Sequence, residues 1–402
     1  MENFEYKPSR IIHHNSESIL EVIENEKNDN LSIFGKLNEL AIIVTPYNSF
    51  VLYKTHHILS DGWGMTQVAD QIKEIYFMLE NGDDLSNYKK PSYLDFINRE
   101  QEYIKSSRFA KDITFWEESV KNIEPCTIFK KSNNFDKTAK RFEREISKNL
   151  SKKIENFCEK NKITEYSFFL AIISIYFYHI NNLNNFAIGT PFLNRQKRNG
   201  EFEETGLHVS TLPLHIEIGN NSTFIDLCKD INSKNLSLYK HGSFPYYNIQ
   251  KLFNEEKNIN SNLYEIGFSY QINISEKEFK SKDFDKADTS SFNKGVGECA
   301  WLFSGEQNNC ITFHLTQLNV RKLFAIDYLT CVFNNKDIQK MYDIIFYLIE
   351  QVVGNLKNTI ISNLQVLPAN EVALLKKFNN TGNIAKCEKS VIDWFEDIVK
   401  KH

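Results

Sequence analysis

The apolar run FFLAIISIYFYHI, residues 168–180, sets the strongest limit on what this chain can fold into. A helix that crosses a bilayer needs about 20 predominantly apolar residues. This run is shorter and carries Ser174 in its middle. It reads as a helix buried inside a core, with Thr164 as its cap.

The sequence on either side switches between two periods. AIIV and FVLYKT, within residues 41–55, are β-prone runs separated by the turn-forming TPYNS, and predict a hairpin. After Gly62, residues Met65, Val68, Ile72, Ile75 and Leu79 fall at helical spacing. YLDFINREQEYIKSSRFAKDITFWEESV continues as helix, with Tyr93, Phe96, Phe115 and Trp116. EPCTIFKKSNNFDKT, 124–138, is polar and aperiodic and reads as a linker between two halves. KRFEREISKNL then predicts a strand, SKKIENFCEKN a helix opened by Ser151, and NFAIGTPF and STLPLHIEI two further strands. TFIDLCKDINSKNLSLYKH is helical. YEIGFSYQINI, CITFHLTQLNV and KLFAIDYLTCVF are strand-like, and NKDIQKMYDIIFYLIEQVVGN is an amphipathic helix. LPANEVALLKKFNNTGNI reads as an exit linker and SVIDWFEDIVKKH as a short amphipathic helix. Helices and strands alternate in both halves with no fixed short repeat, which predicts an α/β class with mixed sheets in two lobes. The length of 402 residues suits that arrangement.

Composition narrows the partners. The net charge of -4 gives no basic field, so nucleic acid is not expected. Seven cysteines stand at 126, 158, 228, 299, 310, 331 and 387. Their odd number and the absence of any CxxC pair argue against a disulfide framework or zinc site and for a reducing compartment. MENFEYKPSR has no positive-then-apolar leader pattern. A cytoplasmic protein with no membrane contact is the expectation.

Chemistry concentrates in VLYKTHHILSDGWGMTQ, residues 51–67, where a strand runs into His56 and His57, with Asp61 and Gly62 four and five residues after His57. Three readings fit. The histidines are polar residues at a strand end, or metal ligands, or one of them moves a proton. Successive side chains on a strand point to opposite faces, so both rings can hardly bind one ion, and the other histidines supply no spaced partner. No bound metal or cofactor is expected. A ring with a pKa near neutrality, aimed by a stiff strand, can take a proton from an amine or alcohol attacking a carbonyl and pass it to the leaving group. Gly62 is read as allowing the sharp turn. Alternation places one histidine toward a cleft and the other inward without saying which. His13 and His14 have no Asp at matching spacing and read as surface chain.

HHILSDGWGM resembles the HHxxxDG signature of condensation domains of non-ribosomal peptide synthetases, in the chloramphenicol-acetyltransferase-like superfamily. The likeness continues in the family's order. YLDF (93–96) is similar to the aromatic-x-Asp-Phe motif. IGTPFLNR (188–195) with TGLHVSTLPLHIEI (205–218) resembles the Gly-Thr-Pro…Arg stretch and the strand after it. KHGSFPYYNIQKL (240–252) resembles the His-Gln-x-x-Pro-aromatic motif, and LYEIGFSYQI (263–272) the following strand. ISNLQVLPANEVALLKKFNNTG (361–382) is similar to the linker into an adenylation domain, and SVIDWFEDIVKKH to that domain's first helix.

The resemblance implies a V of two lobes with mixed sheets and flanking helices around a tunnel. Residues 1–123 would be the N-terminal lobe, 124–367 the C-terminal lobe, 368–388 a linker and 389–402 the first adenylation helix. The implied reaction is amide-forming acyl transfer in secondary metabolite biosynthesis. A donor thioester is attacked by the amino group of an aminoacyl thioester, both on the phosphopantetheine of carrier proteins. His57 would be catalytic, His56 a buried support, and Asp61 a structural anchor paired with Arg195. Gly62 would lend its N–H to the oxyanion. Partners would be donor and acceptor carriers and a downstream adenylation domain. Only 55 residues precede His56, fewer than in the family, so the first lobe is expected to lack a strand, a helix and the Arg-His-Glu motif. Gly64 replaces a usual Ser and His215 a usual Arg. Rival readings are an epimerisation domain, an inactive carrier-docking fragment and a coenzyme A acyltransferase.

Overall fold

In the computed structural model, which describes residues 10–13, 22, 25, 26, 31–125, 136–196, 200–274, 303–318, 321–354, 359–380 and 389–401, the expected hairpin is β2 (Asn38–Val44) and β3 (Ser49–Thr55). They pair antiparallel with Ala41 opposite Leu52. The turn is locked by Thr45, whose hydroxyl accepts the Asn48 N–H at 3.1 Å. Before it, β1 (Arg10–His13) adds to β2 in parallel, with Ile12 opposite Ile43. This segment was expected to be surface chain; its β-branched Ile11 and Ile12 instead extend the AIIV strand. His13 is exposed at the strand's end, and His14 lies outside the described residues.

Helix α1 (Gly62–Asn81) ends at Gly82, whose φ of 77° lets its N–H return to the Leu79 carbonyl. The long helical stretch that follows is two helices, α2 (Tyr93–Ile104) and α3 (Ser107–Lys121). Ser106 divides them, because its hydroxyl caps the Phe109 N–H. After β4 (Ala139–Ile146), helix α4 (Lys148–Asn161) is capped by Ser147 rather than Ser151. Ser147 stands outside the first turn, where its oxygen reaches the Leu150 N–H. Thr164 caps α5 (Glu165–Asn181) as expected.

The remaining elements are β5 (Asn185–Phe192), β6 (Ser210–Glu217), α6 (Phe224–His241), α7 (Tyr246–Lys257), β7 (Ile266–Ile274), β8 (Ile311–Leu318), β9 (Arg321–Leu329), α8 (Asn335–Gly354), α9 (Ala369–Asn379) and α10 (Val391–Val399). Most of the candidate linker at 124–138 lies outside the described residues. The exit segment expected as linker carries α9 in its first half.

Among the described residues the strands form a three-stranded sheet, β1-β2-β3, and a six-stranded sheet, β4-β9-β8-β7-β5-β6, each with parallel and antiparallel pairs. The buried run is the axis of the main core. Every side chain of α5 from Ser167 to Phe177 is buried. Phe169 meets Phe324 and Phe177 meets Phe313 on the large sheet, each pair 6.1 Å between ring centres. Lys322, 4% exposed, ties β9 to α4 and α5 through Glu155 at 3.0 Å and Glu165 at 2.7 Å. The small sheet has its own cluster around Ile43. Among the described residues no single helix is long and apolar enough to cross a membrane.

Helix α3 fastens the first half to the second. Trp116 is fully buried and donates its indole N–H to the His241 carbonyl at 3.1 Å. Asp112 takes His241 Nδ1 at 2.7 Å, and the Phe115 ring stacks on that imidazole at 3.9 Å. Replacing Trp116 by Ala removes a large core side chain, so a loss of about 3–5 kcal/mol is expected in denaturant titration.

Candidate active site

Strand β3 delivers the histidine pair. His56 closes the strand by donating its N–H to the Leu37 carbonyl at 2.7 Å, and its own carbonyl accepts the Leu59 N–H at 3.0 Å to form the turn. His56 Nδ1 accepts the Ile58 N–H at 3.1 Å, which leaves the proton of the neutral ring on Nε2. The pair therefore separates: His56 is half-buried and tied into the turn, and His57 is exposed beside it.

Asp61 ends the turn and is 2% exposed. It caps α1, with Oδ1 accepting the Gly64 N–H at 2.7 Å. Its Oδ2 accepts the His208 and Val209 N–H groups at 2.8 and 2.9 Å. Arg195 completes the shell, with Nη2 at 3.1 Å from Oδ1. Burial alone would raise the Asp61 pKa, but the three backbone donors and the guanidinium together outweigh it and hold the carboxyl below its ordinary range. Arg195 reaches this position because Asn194 adopts φ 50°, the left-handed region that asparagine tolerates, and turns the chain inward after β5. The Arg195 side chain is fully buried. Its Nη1 donates to the Glu201 and Glu204 carbonyls at 2.6 and 2.7 Å, and Nη2 also reaches the Gly206 carbonyl at 3.1 Å.

Two glycines allow this closeness. A Cβ on Gly64 would stand 2.8 Å from the Gly206 carbonyl oxygen, and one on Gly206 would stand 2.1 Å from the Tyr93 ring. The glycine at 64 is thus matched to a close crossing of α1 over the 200–209 segment. Gly62 behaves differently from expectation. It is the first residue of α1 and is not among the glycines with positive φ. The turn is made by residues 56–59, so Gly62 is not needed for it. A Cβ there would meet nothing within 4 Å, so Gly62 is not required by a close approach either.

Helix α2 closes the other side. The Tyr93 hydroxyl donates to the Leu207 carbonyl at 2.5 Å, and burial lifts its pKa to about 12. Phe96 lies 4.1 Å from the His208 ring. Arg99 places Nη2 on Glu204 at 2.8 Å and Nε beside Glu201 at 3.0 Å. His208 is fully buried, with Nε2 3.3 Å from Glu204 Oε2 and no hydrogen bond at either ring nitrogen. Burial first, then the Arg195 charge, lower its pKa to about 4.

The structure thus brings Asp61 and Arg195 together and sets His56, His57 and Gly62 on the adjoining turn. Sequence reasoning missed Arg99, Glu201, Glu204 and His208. The signal available was the crowding of ionisable residues just before the apolar strand β6. His215 is half-buried against the Asn185 side chain, at 3.1 Å, on the far end of β6. Among the described residues no group of three or more His, Cys, Asp or Glu side chains is arranged to hold a metal ion.

A family model described as the condensation domain matches residues 12–375. The chain belongs to the condensation domain family. A plipastatin synthase of Bacillus subtilis (strain 168) is 28% identical over 94% of this chain, and surfactin synthase subunit 1 of the same organism 24% identical over 85%. The chain spans only 15% and 9% of those relatives. Solved structures agree on the fold. The X-domain from teicoplanin biosynthesis superposes with a TM-score of 0.74 at 15% identity, over 90% of this chain and 82% of its own. The first condensation domain of the CDA synthetase gives 0.67 at 13% identity, over 89% and 78%. The mixed α/β fold of this condensation domain, with two mixed sheets, is therefore the chloramphenicol-acetyltransferase-like one, and the family match does not favour epimerisation.

Two outcomes follow for the buried cluster. Asp61→Asn leaves Arg195 buried without its carboxylate and should cost about 3–5 kcal/mol in a denaturation experiment. His208 has a folded pKa below its unfolded value of 6.5, so its neutral ring supports folding above pH 6.5 and that support is lost as pH falls toward 4. The loss amounts to about 3 kcal/mol. His208→Phe, which sacrifices no ring hydrogen bond, should flatten stability against pH in that window.

Proposed function

We propose that this condensation domain forms amide bonds between carrier-bound substrates, with His57 as the residue that handles the proton. The observation that carries this reading is the contrast between an exposed His57 and the buried, fourfold-bonded Asp61 at the other end of the same short turn. Such a turn fixes the backbone that carries His57, so less ordering of the chain is left to be done during reaction. The amino nitrogen of the acceptor attacks the donor thioester carbonyl carbon, and His57 accepts the proton that nitrogen loses. The tetrahedral oxyanion forms, the carbon–sulfur bond breaks, and the thiolate of the donor arm recovers the proton.

The place of Gly62 as first residue of α1 supports the reading that its N–H faces the oxyanion, where the helix dipole favours negative charge. His56 would support the turn from within, and Asp61 with Arg195 would fasten it. Residues 1–123 and 124–367 would be the two lobes, with the tunnel between them. Residues 368–388 would be the linker and 389–402 the first helix of an adenylation domain. The substrates would arrive on phosphopantetheine arms of donor and acceptor carriers in the cytoplasm. The names of the relatives, a plipastatin and a surfactin synthase, support a place within a synthetase.

The decisive experiment supplies both loaded carriers and measures new dipeptidyl thioester by mass spectrometry. His57→Ala should lower its rate by about 100-fold or more, with the melting temperature unchanged. A variant working at the native rate would remove His57 from the chemistry.

A further inference from the structure

The buried cluster contains more charge than an aspartate anchor requires. Asp61, Glu201 and Glu204 are three carboxylates against the two guanidinium groups of Arg195 and Arg99, and the Glu201 and Glu204 side chains are 4% and 1% exposed. The two glutamates play a double part. Their backbone carbonyls hold Arg195 Nη1, and their carboxylates meet Arg99. The place of Arg195 is therefore set by a turn whose side chains are gripped from α2. Tyr93, Phe96 and Arg99 recur at threefold spacing on that helix, so one face of α2 meets the whole 201–208 segment.

We infer that Arg99 is a positioning residue for the reaction, acting on His57 through the Glu201–Glu204 turn, Arg195 and Asp61. Arg99 keeps two neighbouring buried carboxylates at the spacing in which their carbonyls can bind one guanidinium. Without it, three carboxylates face one cation in a place with little water, and repulsion between Glu201 and Glu204 opens the turn. Arg195 then loses its carbonyl partners, Asp61 loses its fixed cation, and the His57 turn loosens. The effect is one of aim, not of substrate contact. Displacements of about 1 Å at a reacting group cost up to about 100-fold in rate.

The inference rests on the amide-forming reading only for its kinetic half, so the test has two readouts. The first is the imidazole nitrogen spectrum of the full chain carrying nitrogen-15 histidine, with the His57 signals assigned through His57→Gln. The second is kcat and KM with loaded carriers. Arg99→Met should shift or broaden the His57 ring signals and lower kcat about 10- to 100-fold, with KM for both carriers unchanged. Arg99→Lys should recover most of both. Glu204→Gln, which keeps the volume, should disturb the same ring signals and serves where Arg99→Met does not fold. His57 signals that stay at their native positions in folded Arg99→Met, or in Glu204→Gln, would overturn the inference. Absence of peptide product from the unaltered chain would instead remove the amide-forming reading, and the ring signals would still decide whether Arg99 reaches His57.

Discussion

A single buried carboxylate fixes the geometry of the candidate site. Asp61 accepts three backbone N–H groups and one guanidinium, and every one of those donors except Gly64 comes from sequence more than a hundred residues away. A buried carboxylate is normally expensive. Here four donors compensate it, and the low proton affinity of the group is the signature of that compensation. Surface ion pairs elsewhere on the chain, such as Lys121 with Glu118 at 2.7 Å, contribute little by comparison, because both partners keep their water.

The surroundings are shaped to this anchor. Gly64 and Gly206 bring two backbones to within a side chain's width, and the Tyr93 ring fills the space that a larger residue at 206 would need. His208 lends its N–H to Asp61 while its ring sits against Phe96 and Tyr93. The exposed His57 and Gly62 flank the buried Ser60 and Asp61 on the same turn. Rigidity inside and access outside are thus separated by only a few residues, which is the arrangement a proton-transferring side chain needs.

Much of this was legible in the sequence because it is written in local patterns. The helix after Gly62 follows from periodicity, the strand before His56 from its β-prone run, the buried middle of α5 from its unbroken apolar run, and capping by Thr164 from a single hydroxyl residue. The order of motifs identified the family. Other features depend on distant partners and leave no periodic trace. The break between α2 and α3 rests on the Ser106 hydroxyl within an otherwise helical stretch. Ser147 and Ser151 are equally good caps in isolation, and the end of β4 at Ile146 decides between them. Parallel pairing of β1 needs β2 beside it. Gly62 reads as a turn residue for glycine's conformational freedom, yet the turn is already complete at Leu59. The roles of Glu201, Glu204 and Arg99 arise only when α2 is laid across a segment about a hundred residues later.

That long reach bears on how the site is made during folding. The Gly64 contact is local and can form with the first turn of α1, within the time a helix takes to nucleate. The contacts to Arg195, His208 and Val209 close loops of 134, 147 and 148 residues, and loop closure of that length comes late. A nascent chain therefore carries an unfinished His57 turn until its second half has docked. The buried anchor of that turn is thus complete only when residues from both halves of the chain have met.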